Sequence, residues 1–250
     1  VNETARAAEI TAWGVDAFER MTGQWALAIW DSVARRLVLA RDRTGICPLH
    51  FCEREGRLYF ASEVKAIFAA DAALPRAFDP VGIDQTFTLW TVVPPQNVFQ
   101  GIKELIPGHF RIYENGDVRE KAFWKPRYPE LSSPRDGQFA GSLDDAVKEV
   151  RSALESATSL RMVRSDVSVG SYLSGGLDSS LIAAMGCHFA GERFQTFSLR
   201  FADAEYDETE FQRLAARVAG SRSHEVGGLC SDTADSFLQG VYHHPTALLD

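Results

Sequence analysis

Several features are scarce in this chain of 250 residues. Its four cysteines, at positions 47, 52, 187 and 230, form no CxxC pair and no other metal-ligand spacing. Their scatter does not suit a disulfide framework either, so buried thiols are expected. No stretch approaches the roughly 20 continuous apolar residues of a membrane span. The amino terminus lacks the charged-then-apolar plan of a signal peptide, so a cytoplasmic protein with no membrane contact is expected. Basic residues are outnumbered, 26 Lys and Arg against 34 Asp and Glu, for a formal charge of −8. That balance argues against a nucleic-acid partner, which would require a basic face. Internal repeats and low-complexity tracts are absent. The chain starts at Val1 rather than Met and stops at Asp250 inside a helical pattern, as a fragment of a longer protein would. Its 45% apolar content is enough for a sizeable core, and its length for more than one domain.

The most telling stretch is Ser174, Gly175, Gly176, Leu177, Asp178, Ser179 and Ser180. It follows a strand-like run (167–173) and precedes an apolar helix start (181–185). Paired glycines let the backbone adopt positive φ and approach a ligand, while serine hydroxyls and the free amides of a helix N-terminus face negative charge. The run is not a Walker A loop, because no Gly-Lys-Ser/Thr follows the glycines. A pyrophosphate site fits, and the run resembles the SGGxDS loop of ligases that join AMP to a carboxylate or carbonyl oxygen and release pyrophosphate. Asp178 is then a candidate Mg2+ ligand, since a hard cation takes carboxylate and phosphate oxygens. The bland alternatives are a ligand-free glycine turn, with Asp178 as a helix cap.

Along the chain, residues 1–124 read as α+β with antiparallel strands. Residues 25–30 and 37–40 suit a hairpin, 57–61 a strand, and 62–68 the start of a helix. Asn115-Gly116 is a hairpin turn between strands at 110–113 and 118–121. Residues 125–141, rich in Pro, Ser and Gly, read as a linker. In 142–250, Ser142 and Asp145 suit a capping box, and Val147, Val150, Leu154 and Ala157 form a helical stripe expected in the core. The order then runs helix 179–189, strand 194–199, helix 208–219, a short strand at 224–226 and helix 232–243. Alternating strands and helices predict a doubly wound parallel sheet with its ligand at the C-terminal strand ends.

Beyond the loop, the sequence resembles the class B, glutamine-hydrolysing asparagine synthetases. GQWALAIWD (23–31), RDRTGICPL (41–49), FASEVKA (60–66) and GIKELIPGH (101–109) are similar to segments of their glutaminase domain. TFSL (196–199) and YDE (206–208) are similar to segments of their synthetase domain. The resemblance covers nearly the whole chain. It implies an Ntn-type glutaminase followed by an ATP pyrophosphatase domain that adenylates aspartate and amidates it with glutamine-derived ammonia, giving asparagine, AMP and pyrophosphate. It also implies ATP and Mg2+ as cofactors, aspartate, glutamine and ATP as small-molecule partners, and a possible homodimer. By match, Ser174 to Ser180 take the phosphates, Asp178 the metal, and Leu173 and Leu199 the adenine and ribose side.

The departures are equally specific. The family's nucleophile is an N-terminal Cys whose own amine can act as base, and Val1 cannot do this. The internal cysteines lack a free amine, and Cys47 suits core packing. Counting back from Trp13-Gly14, Asn2 falls where the family carries the aspartate that reads the amino group of glutamine. The second acidic phosphate loop and a C-terminal lysine are not in this stretch, and neither reaction is expected to run on it alone. The same scaffold with an inactive glutaminase, of the β-lactam synthetase or lasso-peptide cyclase type, is the alternative ligase, and a non-catalytic ATP-binding homologue the alternative outside enzymes.

Other polar residues have structural explanations. Arg41 and Asp42 suit an ion pair holding the Gly45 turn, and Glu63 and Lys65 could pair or cap. Asp207 and Glu210 suit a capping box. His224 ends a strand, where it could face the nucleotide, although a core or surface position suits it better, and His243 and His244 are wrongly spaced for zinc. Glu149, Arg151, Glu155 and Arg161 suit a solvated helix face. Phe87, Trp90 and Phe99 are expected in core or interdomain packing.

Overall fold

The computed structural model describes residues 10, 12–128, 139–165, 167–191, 194–201, 207–228, 237 and 240–242. Contacts divide the chain into two units, Val1–Tyr128 with Gln239–Asp250, and Pro129–Leu238. In the first, a 3-10 turn (Gly14–Asp16) leads into α1 (Ala17–Arg20). A four-stranded antiparallel sheet in the order β1-β2-β6-β7 follows, built from β1 (Ala26–Asp31), β2 (Arg36–Arg41), β6 (His109–Glu114) and β7 (Asp117–Ala122). The Asp31 carboxylate accepts from Val33 N and Ala34 N at 3.0 and 2.9 Å, closing the first hairpin. Asn115 and Gly116 both take positive φ, as a type I′ turn demands.

A second antiparallel sheet, β4-β3-β5, comprises β3 (His50–Arg54), β4 (Arg57–Ala61) and β5 (Lys103–Glu104). Strand alternation assigns its faces. Leu39 packs with Leu49, Phe51 and Leu105 between the sheets. Val38, Ala40 and Phe110 turn outward onto Phe18 of α1 and Trp25. On the far side, Cys52 meets Val64, Ile67 and Phe68 of α2 (Val64–Ala70). The result is four layers: helix, sheet, sheet, helix. Helix α3 (Pro80–Leu89) lies outside the elements the sequence pattern picks out, although its start is legible. Pro80 stands at N1, and Asp79 caps Val81 N and Gly82 N at 2.9 and 3.1 Å. Its buried residues are Gly82 and Thr86, which share a face. Phe87 lies a further 100° round, and both Phe87 and Trp90 are 70% exposed, so neither takes the core position that was one of the two expectations for them. Phe99 does pack, edge-on to Phe68 at 5.1 Å.

The second unit opens with α4 (Leu143–Val163), and its Ser142–Asp145 capping box is formed. The expected core stripe is only half met. Leu154 and Ala157 are half-buried, whereas Val147 and Val150 are exposed. The reason is that α4 packs chiefly on one helix, α5 (Leu177–Ala190), rather than on the sheet. That sheet is parallel in the order β10-β9-β8, from β8 (Gly170–Tyr172), β9 (Gln195–Phe201) and β10 (Arg222–Gly228). Both crossovers, through α5 and α6 (Thr209–Ala219), step in the same direction, so right-handedness puts both helices on one face. Leu173, Ala183, Phe194 and Ala216 form the core there. On the opposite face Phe197, Leu199, Phe201 and Val226 are exposed. Among the described residues the sheet is therefore covered on one side, with no reversal of strand order, and the doubly wound arrangement is not present. The expected helix at 232–243 lies largely outside the described residues. Among those described, no helix is long and apolar enough to cross a membrane.

The two sheets of the first unit are joined by polar contacts at the end of β2. Arg41 and Asp42 do not pair with each other, as the sequence led us to expect. Arg41 forms a buried ion pair with Glu104 at 2.7 Å and donates to the carbonyls of Gly45, Cys47 and Leu105 at 2.7 to 2.9 Å. Asp42 accepts from the backbone N–H groups of Trp25, Thr44, Ile46 and Cys47. Burial alone would raise the Asp42 carboxyl, and the N–H groups of Cys47, Ile46 and Trp25 overcome this and hold it below the usual range. For Glu104 burial prevails over Arg41, and its carboxyl is raised. Lys65 pairs with Glu63.

His50 is fully buried beside this joint. Asn97 Oδ1 accepts from Phe99 N at 3.1 Å, so its amide turns Nδ2 toward His50 Nδ1 at 3.3 Å. Nδ1 is thus the acceptor and Nε2 carries the proton. Burial and then the Arg41 charge push the imidazole down to about 4. Its unfolded value is 6.5, so stability from neutral His50 is complete above pH 6.5 and is lost as pH falls toward 4. The full loss is about 3 kcal/mol.

Two outcomes are expected in urea denaturation followed by tryptophan fluorescence. Glu104→Ala, which strands buried Arg41, costs roughly 3–5 kcal/mol at pH 7. His50→Gln loses about 3 kcal/mol less than the wild type between pH 7 and pH 4, and identical losses would remove His50 from the acid response.

Candidate functional site

The loop between β8 and α5 is anchored from below and open above. Leu173 is held in the core, its N–H donating to Phe197 O and its carbonyl accepting from Ser198 Oγ, both at 2.8 Å. Its side chain therefore supports the loop from beneath. Ser174 Oγ lies 2.9 Å from Ser179 Oγ, which also donates to Gly176 O at 3.2 Å. Gly175 has φ +91°, and an added Cβ would sit 2.9 Å from Phe211 Cβ and 3.0 Å from Gln212 N. Gly176 differs from its neighbour. Its φ is −72°, and an added Cβ would meet only Ser174 Oγ, at 3.6 Å. Only the first glycine is required by the backbone.

Helix α5 begins with Gly176 as N-cap and no side chain capping it. The orphan amides of its first turn thus open toward the loop, at the positive end of the helix dipole. Asp178 stands exposed in that turn, and among the described residues no group pairs with it, so it does not act as a cap. Leu177 is also exposed, while Ser179 and Ser180 are half-buried. Beside the loop, on the bare face of the sheet, Tyr172, Phe197, Leu199 and Val226 line a recess of about 400 Å³ together with Gly170, Ser171 and Ser198. His224 is half-buried on β10 and stacks on Phe197 at 5.1 Å.

The sequence-derived residues therefore converge in part. Ser174 to Ser180 form one turn and Leu199 faces the adjoining recess. Asn2, Cys230, His243 and His244 lie outside the described residues. Among the described residues no group of three His, Cys, Asp or Glu side chains converges as a metal site, so a cation at Asp178 would rely on that one carboxylate and on ligand oxygens. Cys52 is buried, while Cys47 and Cys187 are half-buried. Burial pushes the thiols of Cys52 and Cys187 up, which does not suit a nucleophile. The expected capping box at Asp207 and Glu210 is not formed: Glu208 is the N-cap of α6 with no side chain capping it, and Asp207 accepts from Thr209 N and its hydroxyl in a local turn.

One residue escaped the sequence. Gln212 is buried on α6, its Nε2 donating to Leu199 O at 3.0 Å and lying 3.5 Å from Ser174 O. The available signal was spacing, since Thr209, Gln212 and Ala216 fall on the one buried face of the helix.

Residues 7–124 match the glutamine amidotransferase domain family, and residues 149–246 the asparagine synthase family. Asparagine synthetase [glutamine-hydrolyzing] 3 of Bacillus subtilis is 32% identical over 205 residues, covering 81% of this chain and 32% of that protein. Asparagine synthetase [glutamine-hydrolyzing] 1 of the same organism is 31% identical, covering 82% and 31%. Amidase chyE of Penicillium rubens is 29% identical, covering 95% and 36%. The chain thus spans about a third of the length of the curated relatives it matches. An amidotransferase domain match followed by an asparagine synthase domain match, with 32% identity to a glutamine-hydrolysing asparagine synthetase over 81% of the chain, means that the chain belongs to the glutamine-hydrolysing asparagine synthetase family.

Proposed function

We propose that this chain carries the nucleotide-binding part of an ATP-dependent, amide-forming ligase that adenylates the side-chain carboxylate of aspartate and amidates it with ammonia from glutamine. The uncapped amino end of α5, framed by Ser174 and Ser179 with the unpaired Asp178 beside it, carries this reading. Those amides and hydroxyls bind the β- and γ-phosphates as pyrophosphate, and Leu199, Phe197 and Tyr172 receive the purine in the adjoining recess. Asp178 would hold Mg2+, whose chemistry there is to neutralise phosphate charge. One carboxylate completed by waters and phosphate oxygens is the coordination that ion accepts.

A carboxylate at neutral pH is a poor electrophile until one oxygen can leave. Attack of the aspartate oxygen on the α-phosphorus breaks the bond to the β-phosphate, and pyrophosphate departs into the loop. Ammonia then attacks the acyl carbon and AMP leaves, giving asparagine. The four-layered first unit supports an Ntn-type glutaminase as the ammonia source. A second reading is favoured by the amidase relative that aligns with 95% of this chain: the same scaffold forming its amide on an acceptor other than aspartate.

The full-length protein, incubated with ATP, Mg2+, aspartate and glutamine, is expected to release AMP and pyrophosphate. ADP and phosphate as products would overturn the adenylation step. Asp178→Asn abolishes pyrophosphate release and leaves glutaminase activity intact. A paired glycine test separates fold from ligand. Gly175→Ala lowers the melting temperature, because its Cβ meets backbone at a strained φ. Gly176→Ala keeps the wild-type melting temperature and weakens ATP binding at least tenfold by filling the space a phosphate approaches.

A further inference from the structure

Gln212 has a position that neither helix packing nor the proposed phosphate contacts require. It is 5% exposed and reaches from α6 to two carbonyls of different segments, Leu199 O inside β9 at 3.0 Å and Ser174 O, two residues beyond β8, at 3.5 Å. Its backbone touches the same loop, since Gly175 approaches so closely that a Cβ there would stand 3.0 Å from Gln212 N. The amide cannot be turned over, because the flip would set Oε1 against two carbonyl oxygens. In the orientation that remains, Oε1 is buried without a partner. A buried acceptor left unpaired is costly, and an apolar side chain of the same size would avoid that cost.

We propose that Gln212 is the positioning residue of the pyrophosphate loop. It ties the Ser174 and Leu199 carbonyls to α6, so that the loop amides and the first turn of α5 are oriented before the nucleotide arrives. This rests on the reading that the loop takes pyrophosphate. Preorganisation of this kind raises affinity by removing the ordering cost from the binding step. The residue acts through the backbone and does not touch the ligand.

The test uses Gln212→Met, which keeps length and bulk without the amide, and Gln212→Ala, which keeps the helix. Hydrogen exchange of the hydrogen-bonded loop amides, those of Leu173, Gly176 and Ser180, is measured without ligand, and binding of inorganic pyrophosphate with Mg2+ by calorimetry. Both variants are expected to retain wild-type exchange in β9 and in the middle of α5, while the loop amides exchange about five- to tenfold faster, the value of one hydrogen bond. Pyrophosphate affinity falls by the same factor. Unchanged loop exchange would overturn the proposal, as would equal pyrophosphate affinity in variants and wild type. Loss of protection throughout the unit in both variants would also overturn it, by assigning Gln212 to the core. If the wild type binds no pyrophosphate, the pyrophosphate reading fails, and the loop exchange still decides whether Gln212 holds the turn.

Discussion

Two adjacent side chains at the end of β2, the Arg41 guanidinium and the Asp42 carboxylate, are buried with their charges, and the chain around them has to satisfy both. Hydrophobic contact is non-directional, so Leu39, Leu49, Phe51 and Leu105 could bring the two sheets together at many offsets. The planar fork of Arg41 permits far fewer. It meets Glu104 and three carbonyls at once, and thereby ties the end of β2 to β5 and to the turn that leads into β3. Asp42 does the same for Trp25 and the amides of the turn. The neutrality of His50 follows first from its burial and then from the Arg41 charge beside it.

The second unit uses its polar groups differently. Below the loop they are consumed: Leu173 is bonded at both backbone ends, and Thr196 and Ser198 are buried under the helices. Above it they are left over. Gly176 has no side chain with which to cap α5, and Asp178 faces outward without a partner among the described residues. A small domain gains stability by capping its helices, typically about 1 kcal/mol each. An uncapped helix start behind a positive-φ glycine is therefore a departure from the stability rule, of the kind that marks a binding site.

How much could be read in advance depended on the range of the interaction. The Asn115-Gly116 turn, the Ser142–Asp145 box and the β8–α5 loop were legible because each is decided by a few consecutive residues. The pairing of Arg41 with Glu104 was not, because the partners stand 63 positions apart and nothing local distinguishes Glu104 from other strand carboxylates. Periodicity assigns the α4 stripe to the core because it reports which face is apolar without reporting what covers it. Helix α3 leaves no apolar stripe in the sequence because Gly82 and Thr86, its buried residues, are poor helix formers suited to close approach: a Cβ on Gly82 would stand 2.1 Å from Asn97 O. Gln212 is hidden for the complementary reason, being a polar residue at a position where helical spacing predicts an apolar one.

The charge pattern makes loop geometry more important than it would be in a P-loop. Residues 173–180 contain no Lys, Arg or His, and the one ionisable side chain, Asp178, is negative. The chain as a whole is acidic. In the proposed pyrophosphate site, attraction would have to come from oriented amides and the dipole of α5, worth up to about 2 kcal/mol in favourable geometry, together with any cation that accompanies the ligand. Oriented dipoles lose their effect quickly when they point astray, whereas a lysine on a flexible stem adjusts. A site built in this way depends on whatever fixes the backbone, here the anchoring of Leu173, the tight seat of Gly175 and the amide of Gln212. In the proposed site the backbone supports would therefore supply the orientation that a cationic side chain provides elsewhere.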